Sequence, residues 1–166
     1  TLSIGEIGKF EMIMETALKA VYAFMEGKDS HLKVTEIEHP DVLLWLVWTI
    51  QQYAKMVSWD EARVKYGKAL KDVMDYLAGN HHPNLKVHEN GLVYTNGRDK
   101  AVTWMNSTVN GRPVVARTGY VVEFNALWYN ALCFVADLLS SDNGFVDYLH
   151  QFSDKVGRIP SFRKKH

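Results

Sequence analysis

A helix that is apolar on every side has to be surrounded, and this chain contains two of them. Residues 42–50 read Val-Leu-Leu-Trp-Leu-Val-Trp-Thr-Ile, with Trp45 and Trp48 about one turn apart, and residues 122–139 are apolar on nearly every face. Neither segment is a membrane span, which needs about 20 apolar residues. The first has only nine residues, and the second carries Glu123, Asn125, Asn130 and Asp137. Pro40 and Asp41 start the first of these helices, since proline lacks only an N–H that is unpaired there and an early carboxylate suits the helix dipole.

Three ordinary helices accompany them. Phe10, Ile13, Met14, Ala17, Leu18, Val21, Phe24 and Met25 recur at three- and four-residue steps and predict a one-faced helix ending near Gly27. Ser58 and Glu61 form a capping box for the next, whose buried stripe is Ala62, Tyr66, Ala69, Leu70, Val73 and Leu77, with Gly79 as its left-handed stop. A last helix, capped within Ser140-Ser141-Asp142, buries Phe145, Leu149, Phe152 and Val156. Between the third and fourth helices, residues 84–116 break the pattern. Two apolar runs flank Asn90-Gly91, and Asn110-Gly111 repeats the same turn signal. Five helices cannot enclose two of their own number. The pattern therefore predicts that residues 1–166 are one partial all-α domain with a β-hairpin insertion at about 84–116.

Composition excludes several classes. The 166 residues are 47% hydrophobic and 23% charged, a balance that folds, and 19 basic residues cancel 19 acidic ones. No net charge draws the chain to nucleic acid or to an anionic membrane, and the basic Arg163-Lys164-Lys165-His166 reads as a solvated end. The single Cys133 excludes an internal disulfide or a cysteine-rich metal site and fits a reducing, cytoplasmic compartment. Glu6, Lys9, Glu11 and Glu15 interrupt any secretory leader, while Thr1 in place of Met fits a processed chain or a piece of a longer one. His81, His82 and His88 have no metal-site spacing, and Asn106-Ser107-Thr108 is only formally a glycosylation sequon. No metal or cofactor is expected.

The chemistry lies between Thr103 and Leu132. Thr103-Trp104-Met105-Asn106 precedes Arg117-Thr118-Gly119, and then Val122-Glu123-Phe124-Asn125-Ala126-Leu127-Trp128-Tyr129-Asn130-Ala131-Leu132 opens a helix. Indole faces stack on the C–H face of a sugar while amide, carboxylate and guanidinium groups share its hydroxyls. The same residues also read as core tryptophans and helix caps.

These runs resemble the C-terminal amylo-α-1,6-glucosidase domain of glycogen debranching enzymes, whose pattern joins TWMD to a VEINALWYNAL block. Asp41-Val42-Leu43-Leu44-Trp45-Leu46-Val47 is similar to that family's DAPLWLV, and Asn90-Gly91-Leu92-Val93-Tyr94 to its DGLL-type hairpin. The matches run in order from about Asp41 to Leu139, and residues 1–39 match weakly. The resemblance implies a middle fragment of an (α/α)6 barrel, with the two apolar helices among its inner ones. It places Asp41 on glucose hydroxyls, Trp45 and Trp104 on the pocket walls, Arg117 and Glu123 along its lining, and Asn125 and Trp128 on the next turn.

One departure bears on the reaction. Where the family carries the aspartic acid of TWMD, which the resemblance casts as general acid, this chain has Asn106, and an amide cannot donate that proton. Ala116 also replaces the family's proline. The resemblance implies part of an enzyme hydrolysing α-1,6-glucosidic branch points, with an α-glucan as substrate, the remainder of a parent chain as partner, and an inactive isolated fragment. Against it stand a non-catalytic glucan-binding module and another (α/α)6 glycosidase acting on mannosylglycerate or sucrose-type substrates. Unpartnered inner helices further predict self-association of the isolated chain.

Overall fold

The computed structural model describes Leu2, residues 5–28 and residues 37–157; the basic run at 163–166 lies outside them. The described residues form five helices: α1 (Ile7–Met25), α2 (Pro40–Met56), α3 (Trp59–Ala78), α4 (Val122–Leu138) and α5 (Asn143–Gly157). Two short antiparallel hairpins, β1–β2 (Leu85–Val87, Val93–Thr95) and β3–β4 (Thr108–Val109, Arg112–Pro113), occupy the interval between α3 and α4. This is the all-α arrangement with a small hairpin insertion that the sequence predicts, and it is consistent with a fragment of an all-α barrel.

Helix α4 packs against α2, α3 and α5, so the core gathers around it: Phe124, Trp128, Leu132 and Val135 meet Leu43, Val47 and Ile50 of α2 and Leu70 and Met74 of α3. Helix α1 joins them through side chains. Phe10 stacks on Tyr53 at 5.4 Å, and Tyr22 donates to Asp72 of α3 at 2.7 Å. The Tyr53 hydroxyl lies between the Glu11 and Glu61 carboxylates, at 2.7 and 3.2 Å; burial first, and then the bond to Glu11, push its pKa up to about 12 against the opposing Lys65 ammonium. A hydroxyl that donates to carboxylates resists ionisation.

Helix α2 is open along one side: Trp45 and Trp48 are each 41% exposed and meet edge to face at 5.6 Å, and no described element covers them. Other local expectations need correction. Ile13, assigned to the buried stripe of α1, is 57% exposed beside Met12; the buried line runs through Phe10, Met14, Ala20 and Val21. The capping box forms only in its forward half: the Glu61 N–H donates to Ser58 Oγ at 3.3 Å, while the Glu61 carboxylate turns to Tyr53 and Lys65.

The left-handed stop of α3 is Asn80 (φ 61°), one residue beyond Gly79 (φ −73°). Its N–H reaches the Leu77 carbonyl and the His81 N–H reaches that of Tyr76, which satisfies two orphan carbonyls of the last turn. Of the two Asn-Gly turns, only Asn110-Gly111 has both residues at positive φ. At Asn90-Gly91 only Gly91 does, and the hairpin closes instead through the His88–Leu92 pair over a three-residue loop. Gly91 is also where the hairpin touches α5. A Cβ there would lie 2.8 Å from Lys155 Cβ and 2.9 Å from the Phe152 carbonyl, so no larger residue fits.

Candidate functional site

Helices α2 and α4 pack against one another, and the segment after β2 is tied to the first turn of α2. Asp41, in the first turn of α2, is buried. Its Oδ2 accepts the Trp104 backbone N–H at 2.8 Å, which ties the Thr103–Asn106 segment to the helix end. Oδ1 of the same carboxylate is buried and has no hydrogen-bond partner among the described residues. Burial raises the Asp41 carboxyl above its usual range, the Trp104 bond and nearby His39 oppose this, and the Glu123 charge adds to it. Asp41 and Glu123 therefore feel one another across the site.

Glu123 stands in the first turn of α4 and pairs with Arg117. The Arg117 side chain is only 16% exposed, and its Nε–H is buried without an acceptor among the described residues. Backbone struts fix it in place: Thr95 Oγ1 donates to the Arg117 carbonyl at 2.9 Å, and the Thr95–Gly119 bridge holds the next turn to β2. Trp104 is anchored by its backbone while its indole is 61% exposed, and buried Thr103 accepts the Met105 N–H at 3.0 Å. Trp45, one turn along α2 from Asp41, is 41% exposed.

Asp41 and Trp104 are thus joined by a hydrogen bond and Arg117 and Glu123 by an ion pair, and the Glu123 charge bears on Asp41. Asn125 and Trp128 are not on the surface, contrary to expectation. Asn125 is 2% exposed and spends both ends of its amide on backbone: Oδ1 accepts the Val93 N–H at 2.8 Å, and Nδ2 donates to the Val93 and Val121 carbonyls at 3.0 Å. Trp128 is fully buried, with its indole N–H on the Gly91 carbonyl at 3.0 Å. The two residues pin the first hairpin to α4 and so position the wall that Arg117 and Glu123 present. Asn106 is exposed, two residues past Trp104 and just before β3.

Sequence reasoning missed Thr95 and His39. Thr95 acts through a partner 22 residues away, a pairing with no local signature. His39 is a buried residue at the start of α2 whose charge bears on Asp41, and its adjacency to Pro40-Asp41 was the signal on offer. Among the described residues no three His, Cys, Asp or Glu side chains gather as a metal site requires.

The chain matches the family model described as amylo-alpha-1,6-glucosidase over residues 17–165. No curated protein and no solved structure matches it.

Proposed function

The chain belongs to the amylo-alpha-1,6-glucosidase family, and on that premise we propose that it is part of a glycogen debranching enzyme hydrolysing α-1,6-glucosidic branch points. Residues 1–166 form one partial domain, a middle segment of an (α/α)6 glucosidase barrel acting in the cytoplasm. The end of the molecule bearing Asp41, Arg117 and Glu123 forms part of the wall of its glucose pocket.

The observation that carries this reading is a pair of buried, unanswered polar atoms of opposite sense, Asp41 Oδ1 and Arg117 Nε. Each such group costs about 1–3 kcal/mol while it stays unpaired. A ligand hydroxyl can donate to the first and another can accept from the second, and a sugar carries several hydroxyls on a rigid ring. The exposed Trp104 and Trp45 indoles supply apolar faces of the kind such rings stack upon.

A second reading has one specific observation behind it. Asn106 stands at the position that the family resemblance assigns to the general acid. A chain that binds glucan without cleaving it would keep the pocket and lose that proton. On either reading the 166-residue chain alone binds and does not hydrolyse.

Titration with isomaltose, an α-1,6-linked disaccharide, tests the shared part. Replacing a charged acceptor by a neutral one in Asp41→Asn weakens binding by roughly tenfold. The melting temperature is kept or raised, because a buried amide has no charge to desolvate. Equal isomaltose affinity in the wild type and Asp41→Asn would remove Asp41 from the pocket.

A further inference from the structure

The exposed side of the first hairpin carries an aromatic cluster that the site above does not use. His88 and Tyr94 lie parallel, with ring centres 5.3 Å apart and planes 8° from each other. Tyr120 stands perpendicular to both, at 5.4 and 5.6 Å. His88 Nδ1 and the Tyr120 hydroxyl are also hydrogen-bonded at 2.6 Å, in addition to the ring packing that holds Tyr120. Beside it opens a shallow cavity of about 510 Å³ lined by Val87, His88, Glu89, Asn90 and Tyr120. That volume lies inside the roughly 300–1,000 Å³ of small-ligand pockets.

We propose that this cavity is a second carbohydrate site, which holds glucosyl units of an α-glucan chain outside the pocket that binds the branch point. Tyr120 is 46% exposed and held by two neighbouring rings, so it offers a stacking face that loses little freedom on binding. Glu89 is exposed and makes no ion pair or hydrogen bond with a described residue. The Asn90 Oδ1 accepts the Leu92 N–H at 3.0 Å, which leaves its amide N–H groups for a ligand. An anionic carboxylate in the lining disfavours phosphates and nucleic acid. Val87, the aliphatic residue of the lining, is buried, so an apolar peptide finds little to fill.

Rings, a carboxylate and an amide are the set that divides a sugar into its C–H face and its hydroxyls. The cluster is also close in the chain to the first site. Tyr120 lies between Arg117 and Glu123, and the Thr95–Gly119 bridge joins the two regions. The choice of glucan over another sugar rests on the proposed function.

The test is a titration of the ¹⁵N-labelled chain with maltohexaose, with amide shifts followed at residues 88–94 and 120 and, separately, at 104, 117 and 123. Saturable shifts at the first group are expected. The affinity read there should fall about two- to tenfold in Tyr120→Ala and in Glu89→Ala, and hold in Tyr120→Phe, which keeps the ring and loses only the hydroxyl. Glu89→Ala removes an exposed loop carboxylate and leaves the fold intact, so it stands if Tyr120→Ala fails to fold. Shifts confined to 104, 117 and 123 would overturn this second site and leave the first. Shifts confined to the hairpin would do the reverse, and none at either group would overturn both. Unchanged affinity at the hairpin in folded Glu89→Ala and Tyr120→Ala would likewise end the proposal.

Discussion

On the proposed function, an amide at position 106 changes what the pocket can do with a proton. If Asn106 occupies the acid position, then in a full-length parent Asn106→Asp restores a group able to protonate the leaving oxygen, and glucosidase activity rises or is at least preserved. If Asn106 only holds substrate while another acid works, Asn106→Ala costs about 1 kcal/mol, the worth of one hydrogen bond. That is far short of the roughly 10²- to 10⁴-fold loss on removing a proton donor. A collapse of that size in Asn106→Ala, with Asn106→Asp inactive, would show the role at this position to be wrongly transferred. His82 gives a prediction readable on the chain itself. It is fully buried against Phe24 and Tyr76, and its Nδ1 accepts the Asn84 N–H at 3.1 Å. Burial lowers its pKa from 6.5 to about 4. The unfolded chain therefore takes up this proton first as pH falls. The associated stability is complete above pH 6.5 and is lost progressively down through pH 4, by about 2 kcal/mol between pH 7 and pH 5. Urea melts at the two pH values should show that difference in the wild type and much less of it in His82→Phe. Residue types alone did not reveal either role: a histidine in a loop run and a tryptophan in a motif look alike whether exposed or buried. Trp128 and Asn125 are the instructive cases, since their motif was legible but their contacts with Gly91 and Val93 arise only once the hairpin folds onto α4.

Helix starts were legible in the chain because their chemistry is local. Pro40 and Asp41, Ser58 and Asp142 all sit at the helix beginnings where their side chains suggested, and Asp142 Oδ1 accepts the Phe145 N–H at 3.2 Å. The end of α3 was misplaced by one residue for an equally physical reason. Glycine is the usual left-handed stop, but here Asn80 takes that conformation because its side chain is needed: Oδ1 accepts the Val87 N–H at 2.6 Å and Nδ2 donates to the Val87 carbonyl at 3.1 Å. The helix stop is thus also the clamp on β1. Asn80→Gly keeps the backbone conformation and loses both bonds, a cost of about 1–2 kcal/mol. Asn80→Ala loses the bonds and adds about 1 kcal/mol for a Cβ at positive φ. Urea unfolding should therefore rank wild type above Asn80→Gly and Asn80→Ala lowest. Equal stability of the glycine variant and the wild type would mean that the clamp contributes nothing.

Burial at the scale of the whole molecule is the property that sequence reads least well, because it depends on what lies opposite. The all-round apolar pattern of α2 announces neighbours on every side, yet the described elements leave Trp45 and Trp48 open, and Met12 and Ile13 form a second apolar strip on α1. On the proposed function, further helices of the parent chain cover Trp48 and the α1 strip, while Trp45 is left to the pocket. Alone in water, the chain has only its own copies to cover them. Each indole is 41% exposed, and covering the remainder is worth roughly 2 kcal/mol at about 25 cal/mol per Å². Two such residues side by side, together with the separate strip on α1, are enough to offset part of the entropy of association at high concentration. Sedimentation equilibrium of the isolated chain should therefore give a weight-average mass that rises with concentration above the 19.0 kDa of one chain. Trp48→Lys, which puts a charge on the open face and removes the edge-to-face partner of Trp45, should return it toward the single-chain mass with the helical circular dichroism unchanged. A concentration-independent 19.0 kDa species in the wild type, with no binding of an apolar dye, would show instead that five helices suffice, and that the open side of α2 needs no partner.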